Sequence, residues 1–214
     1  MYVDELVKLI KRKCNAETFI DWLHVLMYMD DTVLLATTRA AMLSKITILY
    51  EFGNEYGMKV NLAKTKFFVI NGGAGDADPL RVNDMIVEHC NSYVYLGRHF
   101  TCDGSVSAAV KLHAQNKLCQ VSKFVSIIRK NNDVPFIVNK RLFDAAQISA
   151  LLYGCESWVG ADVKPIIKLY NWCMKELLGV RRATVNSVCY AELGYSSLPD
   201  IVRYRQHKFY YNVV

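Results

Sequence analysis

Asp30 and Asp31 stand side by side in Tyr28-Met29-Asp30-Asp31, at the break between two apolar runs, Leu23 to Met29 and Thr32 to Ala36. Runs of that length and composition predict a β-hairpin with the acids at its tip. Adjacent carboxylates on a stiff hairpin repel each other, and a turn that is only a turn would favour Gly or Asn at one of the positions. A divalent cation relieves the repulsion. Hard cations take carboxylate oxygens, and a pair of them can clamp the attacking and leaving oxygens of a phosphoryl transfer. Asp-Asp is also a common turn dipeptide, so its flanks decide the reading.

The flanks are Leu26-Met27-Tyr28-Met29-Asp30-Asp31-Thr32-Val33-Leu34-Leu35-Ala36, and a second pattern follows at Gly57-Met58-Lys59-Val60-Asn61-Leu62-Ala63-Lys64-Thr65-Lys66. The first resembles the tyrosine-x-aspartate-aspartate box of reverse transcriptases, and its Val33-Leu34-Leu35-Ala36 resembles the non-LTR (LINE-type) retrotransposon branch. The second resembles the fourth palm motif of that family. Tyr93-Val94-Tyr95-Leu96-Gly97, with Asp103-Gly104, resembles the hairpin that grips the primer. Leu151 to Trp158 and Leu177 to Arg182 resemble segments beyond the palm. The resemblance covers nearly the whole chain, and is strongest up to Gly97.

What the resemblance implies is an α+β fold: a partial polymerase palm of β-hairpin, helix and strand, followed by a mainly α-helical thumb-like domain. It implies RNA-directed DNA polymerase activity, with Mg²⁺ or Mn²⁺ as cofactor and an RNA template, a DNA primer and deoxynucleoside triphosphates as partners. Asp30 is then the firmer metal ligand and Asp31 the second carboxylate. Tyr28 and Met29 touch the primer end, Tyr95, Leu96 and Gly97 grip the primer, and Lys64 steadies the departing pyrophosphate. The alternative for Lys64 is a solvated loop lysine.

The helices that would position these residues are legible from spacing. Met42, Ile46, Leu49, Phe52 and Tyr56 cover one face of a helix from Arg39 to Tyr56, with Gly57 at its C-terminal end. Phe67 to Ile70 reads as a strand. Val110, Ala114, Leu118, Val121, Phe124 and Ile128 predict a helix over Val106 to Ile128. Pro135 separates it from a second helix at about Asn139 to Tyr153. A third spans Asp162 to Leu178, with Asp162 as cap and Pro165 in the first turn. The expected domains are 1–71 (partial palm with the catalytic hairpin), 72–104 (connector and primer-grip-like hairpin) and 105–214 (helical, basic, thumb-like).

Charge supports a nucleic-acid partner. The first hundred residues carry 11 Lys and Arg against 12 Asp and Glu, and the rest carry 15 against 8. Lys123, Arg129, Lys130, Lys140, Arg141, Arg181 and Arg182 are candidates to line a phosphate backbone. The alternative is an ordinary solvated helical surface. Arg203 to Tyr211 mixes Arg, Lys and Tyr in a way that suits base stacking or, equally, a packed terminal helix.

Other chemistries find little support. Asn71 to Gly75 is glycine-rich but lacks the Lys-Ser/Thr and the helix of a phosphate loop. His89, Cys90, His99 and Cys102 lack the paired spacing of a zinc finger. No G-x-S-x-G elbow occurs. The seven scattered Cys point to reduced thiols. No apolar run nears the roughly 18 residues of a membrane span, and no signal-peptide pattern opens the chain, so an intracellular protein, nuclear or cytoplasmic, is expected.

Departures from the family pattern matter too. Its fingers, and a first palm strand bearing another aspartate, precede the tyrosine-aspartate hairpin; here only Asp4, Glu5, Glu17 and Asp21 supply acids before Tyr28. The expectation is a fragment that does not polymerise alone and has the upstream polymerase half as a partner. The alternative is a non-catalytic nucleic-acid- or protein-binding remnant of a retroelement.

Overall fold

The computed structural model describes residues 2–14, 23–131 and 133–213. Glu17 and Asp21 lie outside the described residues. The fold is α+β, a mixed first part followed by a helical one, and the chain divides into two compact units, Met1–Tyr95 and Leu96–Val214.

In the first unit, α1 (Tyr2–Lys13) buries Leu6 and Ile10, four apart on one face. Asp4 and Glu5 in its first turn and Lys11 to Lys13 in its last complement the helix dipole. Strands β1 (Val25–Tyr28) and β2 (Asp31–Leu34) pair antiparallel in the register Val25↔Leu34 to Tyr28↔Asp31. Helix α2 (Arg39–Glu55) is started by Thr38, whose side chain accepts from the Ala41 N–H, and stopped at Gly57, at φ 66°. The Met58 N–H reaches back to the Gly53 carbonyl at 2.8 Å, which satisfies a carbonyl the helix leaves open.

Strand β3 (Lys66–Phe67) is shorter than the Phe67 to Ile70 expected, because its only described partner ends there. That partner is β5 (Met85–His89), which runs parallel to it and antiparallel to β4 (Leu80–Val82), giving the order β3-β5-β4. Leu80, Val82, Met85 and Val87 face inward on alternate positions and pack with Ile46 of α2. A second cluster joins Leu6 and Ile10 to Ile48 and Phe52. The glycine-rich stretch is a turn, with a 3₁₀ segment at Ala74–Ala77 held where Asp76 Oδ2 accepts from the Gly73 N–H at 2.8 Å. Strand β6 (Ser92–Tyr95) closes this unit.

The second unit opens with Leu96 and Gly97, both at positive φ (47° and 74°), and β7 (Arg98–Thr101). Helix α3 (Val106–Lys130) starts where Ser105 Oγ accepts from the Ala108 N–H. Helix α4 (Phe136–Leu142) begins directly after Pro135 and winds without a break through a π-helical turn, Phe143–Ile148, into α5 (Ser149–Leu151). It therefore starts earlier than the expected Asn139. Helix α6 (Lys164–Leu177) has Pro165 in its first turn, and Asp162 Oδ1 accepts from the Lys164 N–H at 2.9 Å. Helices α7 (Asn186–Leu193) and α8 (Leu198–Val213) complete the unit. Phe124, Phe143, Leu151, Leu152, Ile166, Tyr170 and Met174 form the centre of one core, each burial contributing about 1.5–3 kcal/mol.

Candidate active site

The β1–β2 hairpin is joined by a two-residue turn, Met29 and Asp30, while Asp31 is the first residue of β2 and pairs with Tyr28. Met29 sits at φ 55°, a backbone region in which a side chain costs about 1–3 kcal/mol. Its side chain is 79% exposed, so burial does not offset that strain. Pairing continues past the strands, where the Leu35 N–H donates to the His24 carbonyl at 3.0 Å. The buried Lys45 of α2 reaches the Leu35 carbonyl with its ammonium, tying the exit of the hairpin to the helix beneath it.

Both Asp30 and Asp31 are exposed, and among the described residues neither takes part in an ion pair or a side-chain hydrogen bond. Some other carboxylates are matched, Asp4 with Lys8, Glu88 with Lys66 across the β3–β5 ladder and Glu176 with Arg129, while others such as Glu5 and Glu55 are not; what sets the tip apart is that its two unmatched acids are adjacent. The hairpin tip thus holds two adjacent negative charges that the described residues leave uncompensated. No group of three or more His, Cys, Asp or Glu with metal-binding geometry occurs among the described residues. Magnesium needs only one or two protein carboxylates when water and phosphate oxygens complete its octahedron, so the twin acids fit the protein's share of one such ion.

Lys64 closes a turn built by Asn61. The Lys64 N–H donates to the Asn61 carbonyl and side chain, and the Thr65 hydroxyl donates to the same carbonyl at 2.8 Å. The Tyr93 hydroxyl of β6 donates to the Lys64 carbonyl at 3.0 Å, which joins two of the motifs picked out from the sequence. The Lys64 side chain is exposed, and no described hydrogen bond or ion pair links it to Asp30 or Asp31.

Tyr28, like Met29, is exposed at the tip. Tyr95 ends the first unit, whereas Leu96 and Gly97 begin the second, where the Tyr153 hydroxyl donates to the Leu96 carbonyl at 2.9 Å. A Cβ on Gly97 would meet the Tyr153 ring at 3.1 Å, so this turn takes glycine for space as well as for its φ.

The basic candidates divide in two. Lys123, Lys130, Arg141 and Arg181 are exposed. Arg129 grips Glu176 through both Nε and Nη2, and Lys140 donates to the Leu193 carbonyl at 2.8 Å while lying over the Tyr195 ring, so these two cations are engaged within the unit. Arg182 lies over the Trp172 ring. Sequence reasoning missed Lys45, and also Lys168, Asn171, Trp172 and Lys175 on α6. The latter four recur at i, i+3, i+4 and i+7, opposite the apolar face of Ile166, Tyr170, Cys173 and Leu177, and that spacing was the available signal.

The fold and site define an α+β protein whose first unit presents an acid-tipped hairpin above a helix. The family described as reverse transcriptase (RNA-dependent DNA polymerase) matches residues 1–100, just under half of the chain, and supports a reverse-transcriptase domain there. Neither the curated proteins nor the solved structures contain a match to the chain. No described helix is long and apolar enough to cross a membrane.

Proposed function

We propose that the chain is the palm and thumb portion of a non-LTR retroelement reverse transcriptase, built for transfer of a deoxynucleotide to a primer 3′-hydroxyl. The observation that carries this reading is the pair of adjacent, unmatched carboxylates on the strained tip at Met29 to Asp31, inside the residues the family matches. Residues 1–71 are then the partial palm, 72–104 the connector with the primer-grip-like turn, and 105–214 the thumb.

Asp30 and Asp31 are the residues that would hold Mg²⁺ or Mn²⁺, which when bound supplies charge neutralisation at the reacting phosphates and lowers the pKa of the primer hydroxyl. Exposed Tyr28 and Met29 flank the acids and contact the primer end. The Met29 backbone fixes where the carboxylates stand, and the Lys45 tie beneath holds the hairpin still, as positioned charge requires. The Lys64 ammonium balances charge on the departing pyrophosphate. Exposed Lys123, Lys130, Arg141, Arg181 and Arg182 add salt-sensitive affinity for the template and primer backbones.

The same reading makes the chain inactive by itself. Among the described residues β1 and β2 pair only with each other, and β3 pairs only with β5, so two ladders carry unpaired edges where a palm sheet is continuous. A strand bearing a third carboxylate would join them. The test is primer extension on an RNA template by the purified chain, alone and mixed with an upstream segment that carries such a strand. The expected result is no product from the chain alone, and Mg²⁺-dependent extension from the mixture that Asp30→Asn abolishes. Extension indifferent to Asp30→Asn would sink the assignment of the site, and extension by the chain alone would sink the fragment reading.

A further inference from the structure

Lys168, Asn171, Trp172 and Lys175 share one side of α6, and with Arg182 and Asn186 they line a groove of about 420 Å³. The groove is held open by its own bonds. Lys175 Nζ donates to the Arg182 carbonyl at 2.7 Å, which fastens the loop after α6 back onto the helix. The Arg182 guanidinium lies over the Trp172 ring, its central carbon 5.7 Å from the ring centroid. The indole is fixed at its edge, because Nε1 donates to Glu176 Oε1 at 3.1 Å. Asn171 Oδ1 accepts from the Tyr190 hydroxyl at 2.7 Å, which leaves the NH₂ end of that amide to donate. No side chain caps the start of α7, where Asn186 stands.

The charge in this groove is one-sided. Three cations line it and no carboxylate does. Glu176, the nearest acid in sequence, is occupied by Arg129 and by the Trp172 N–H. Three cations, one of them over an indole face, with amide donors and an uncapped helix start call for a ligand that is anionic at one end and flat at the other. An acidic peptide satisfies the cations but leaves the Arg182–Trp172 pair without a planar partner. A duplex offers phosphates but keeps its bases inside. An unpaired nucleotide offers both.

We propose that this groove binds one nucleotide of a single-stranded nucleic acid, with its phosphodiester held by Lys168 and Arg182, Lys175 fixing the Arg182 loop, and its base laid against the Arg182–Trp172 pair, its edge facing Asn171 and Asn186. The site belongs to the unit beyond Tyr95, nearly all of it outside the residues the family matches, and it stands independently of the hairpin acids.

The experiment measures binding of fluorescently labelled oligouridylate and oligothymidylate to the full chain at fixed salt. Lys168→Glu and Arg182→Glu are compared with Lys111→Glu, an exposed charge reversal of equal size on α3. Circular dichroism verifies folding, and the two oligomers tell a ribose from a deoxyribose ligand. The expected result is a loss of roughly tenfold or more in affinity for the two groove variants, and much less for Lys111→Glu. Trp172→Leu weakens binding without a change of charge, and Asp30→Asn leaves it unchanged, which separates this site from the polymerase reading. Equal losses for all three charge reversals, or displacement of the oligomer by polyglutamate as readily as by unlabelled oligomer, would overturn the proposal.

Discussion

His113 is 4% exposed, its Nε2–H donates to the Leu151 carbonyl at 3.2 Å, and its ring lies 5.6 Å from that of Trp158. Burial holds its pKa below the ordinary 6.5, and the nearby Lys117 and Arg98 charges push the same way. The unfolded chain therefore binds a proton at a pH where the folded one does not. The stability tied to this neutral imidazole is present above about pH 6.5 and is lost as pH falls toward the lowered folded value. His99, likewise depressed by burial, adds in the same direction. Urea midpoints should fall between pH 7 and pH 5, and His113→Gln, which keeps an N–H donor without the titration, should flatten that slope. Buried thiols give a second readout: burial pushes Cys155 up to about 11 and Cys173 up to about 12, while Cys119 is exposed. Alkylation near pH 8 should mark Cys119 early and those two only after unfolding. The hairpin that carries Asp30 and Asp31 was legible in the chain because acid pairs and tyrosine motifs are local. Whether a cation is available was not: Arg129 and Lys140 look like Lys123 and Arg141 in sequence, and only partners 47 and 53 positions away divide them.

Turns between elements are where single atoms decide stability. Gly154 has φ 66°, and a Cβ there would come within 2.3 Å of Arg98 Nη1, whose guanidinium donates to the Tyr153 carbonyl and to the Ser157 hydroxyl. Gly154→Ala should cost about 1–3 kcal/mol by thermal or urea unfolding, because both the positive φ and the Cβ contact with Arg98 oppose it. Helices α2, α3 and α6 were legible to within a few residues because each keeps an apolar stripe at helical period over several turns. The β1–β2 hairpin was legible as well, but β3 was not, since it spans two residues and its length is set by β5, over twenty positions away. The π turn at Phe143–Ile148 was equally hidden. It keeps Phe143 and Gln147 buried within a helix whose apolar pattern looks ordinary, and Gln120 of α3 donates to the Ala146 carbonyl at 3.2 Å.

At the scale of the whole molecule, the first hundred residues carry a slight acidic balance and the rest a basic excess, so the proposed affinity for nucleic acid should reside in the second part. Binding to single strands should weaken steeply as salt is raised, with a slope that Lys168→Glu reduces and Asp30→Asn does not. The broad class was legible from the chain because α+β order follows from the sequence of patterns. Which edges stay unpaired was not, because pairing is a property of strands meeting in space. Among the described residues β3 pairs on one side alone, and an extended peptide is expected to add to the other. A synthetic segment of alternating apolar residues, long enough to lie along Lys66 and Phe67, has backbone donors and acceptors waiting for it there. Such a peptide would dock by main-chain complementation, and a single proline placed to face the ladder would abolish its uptake.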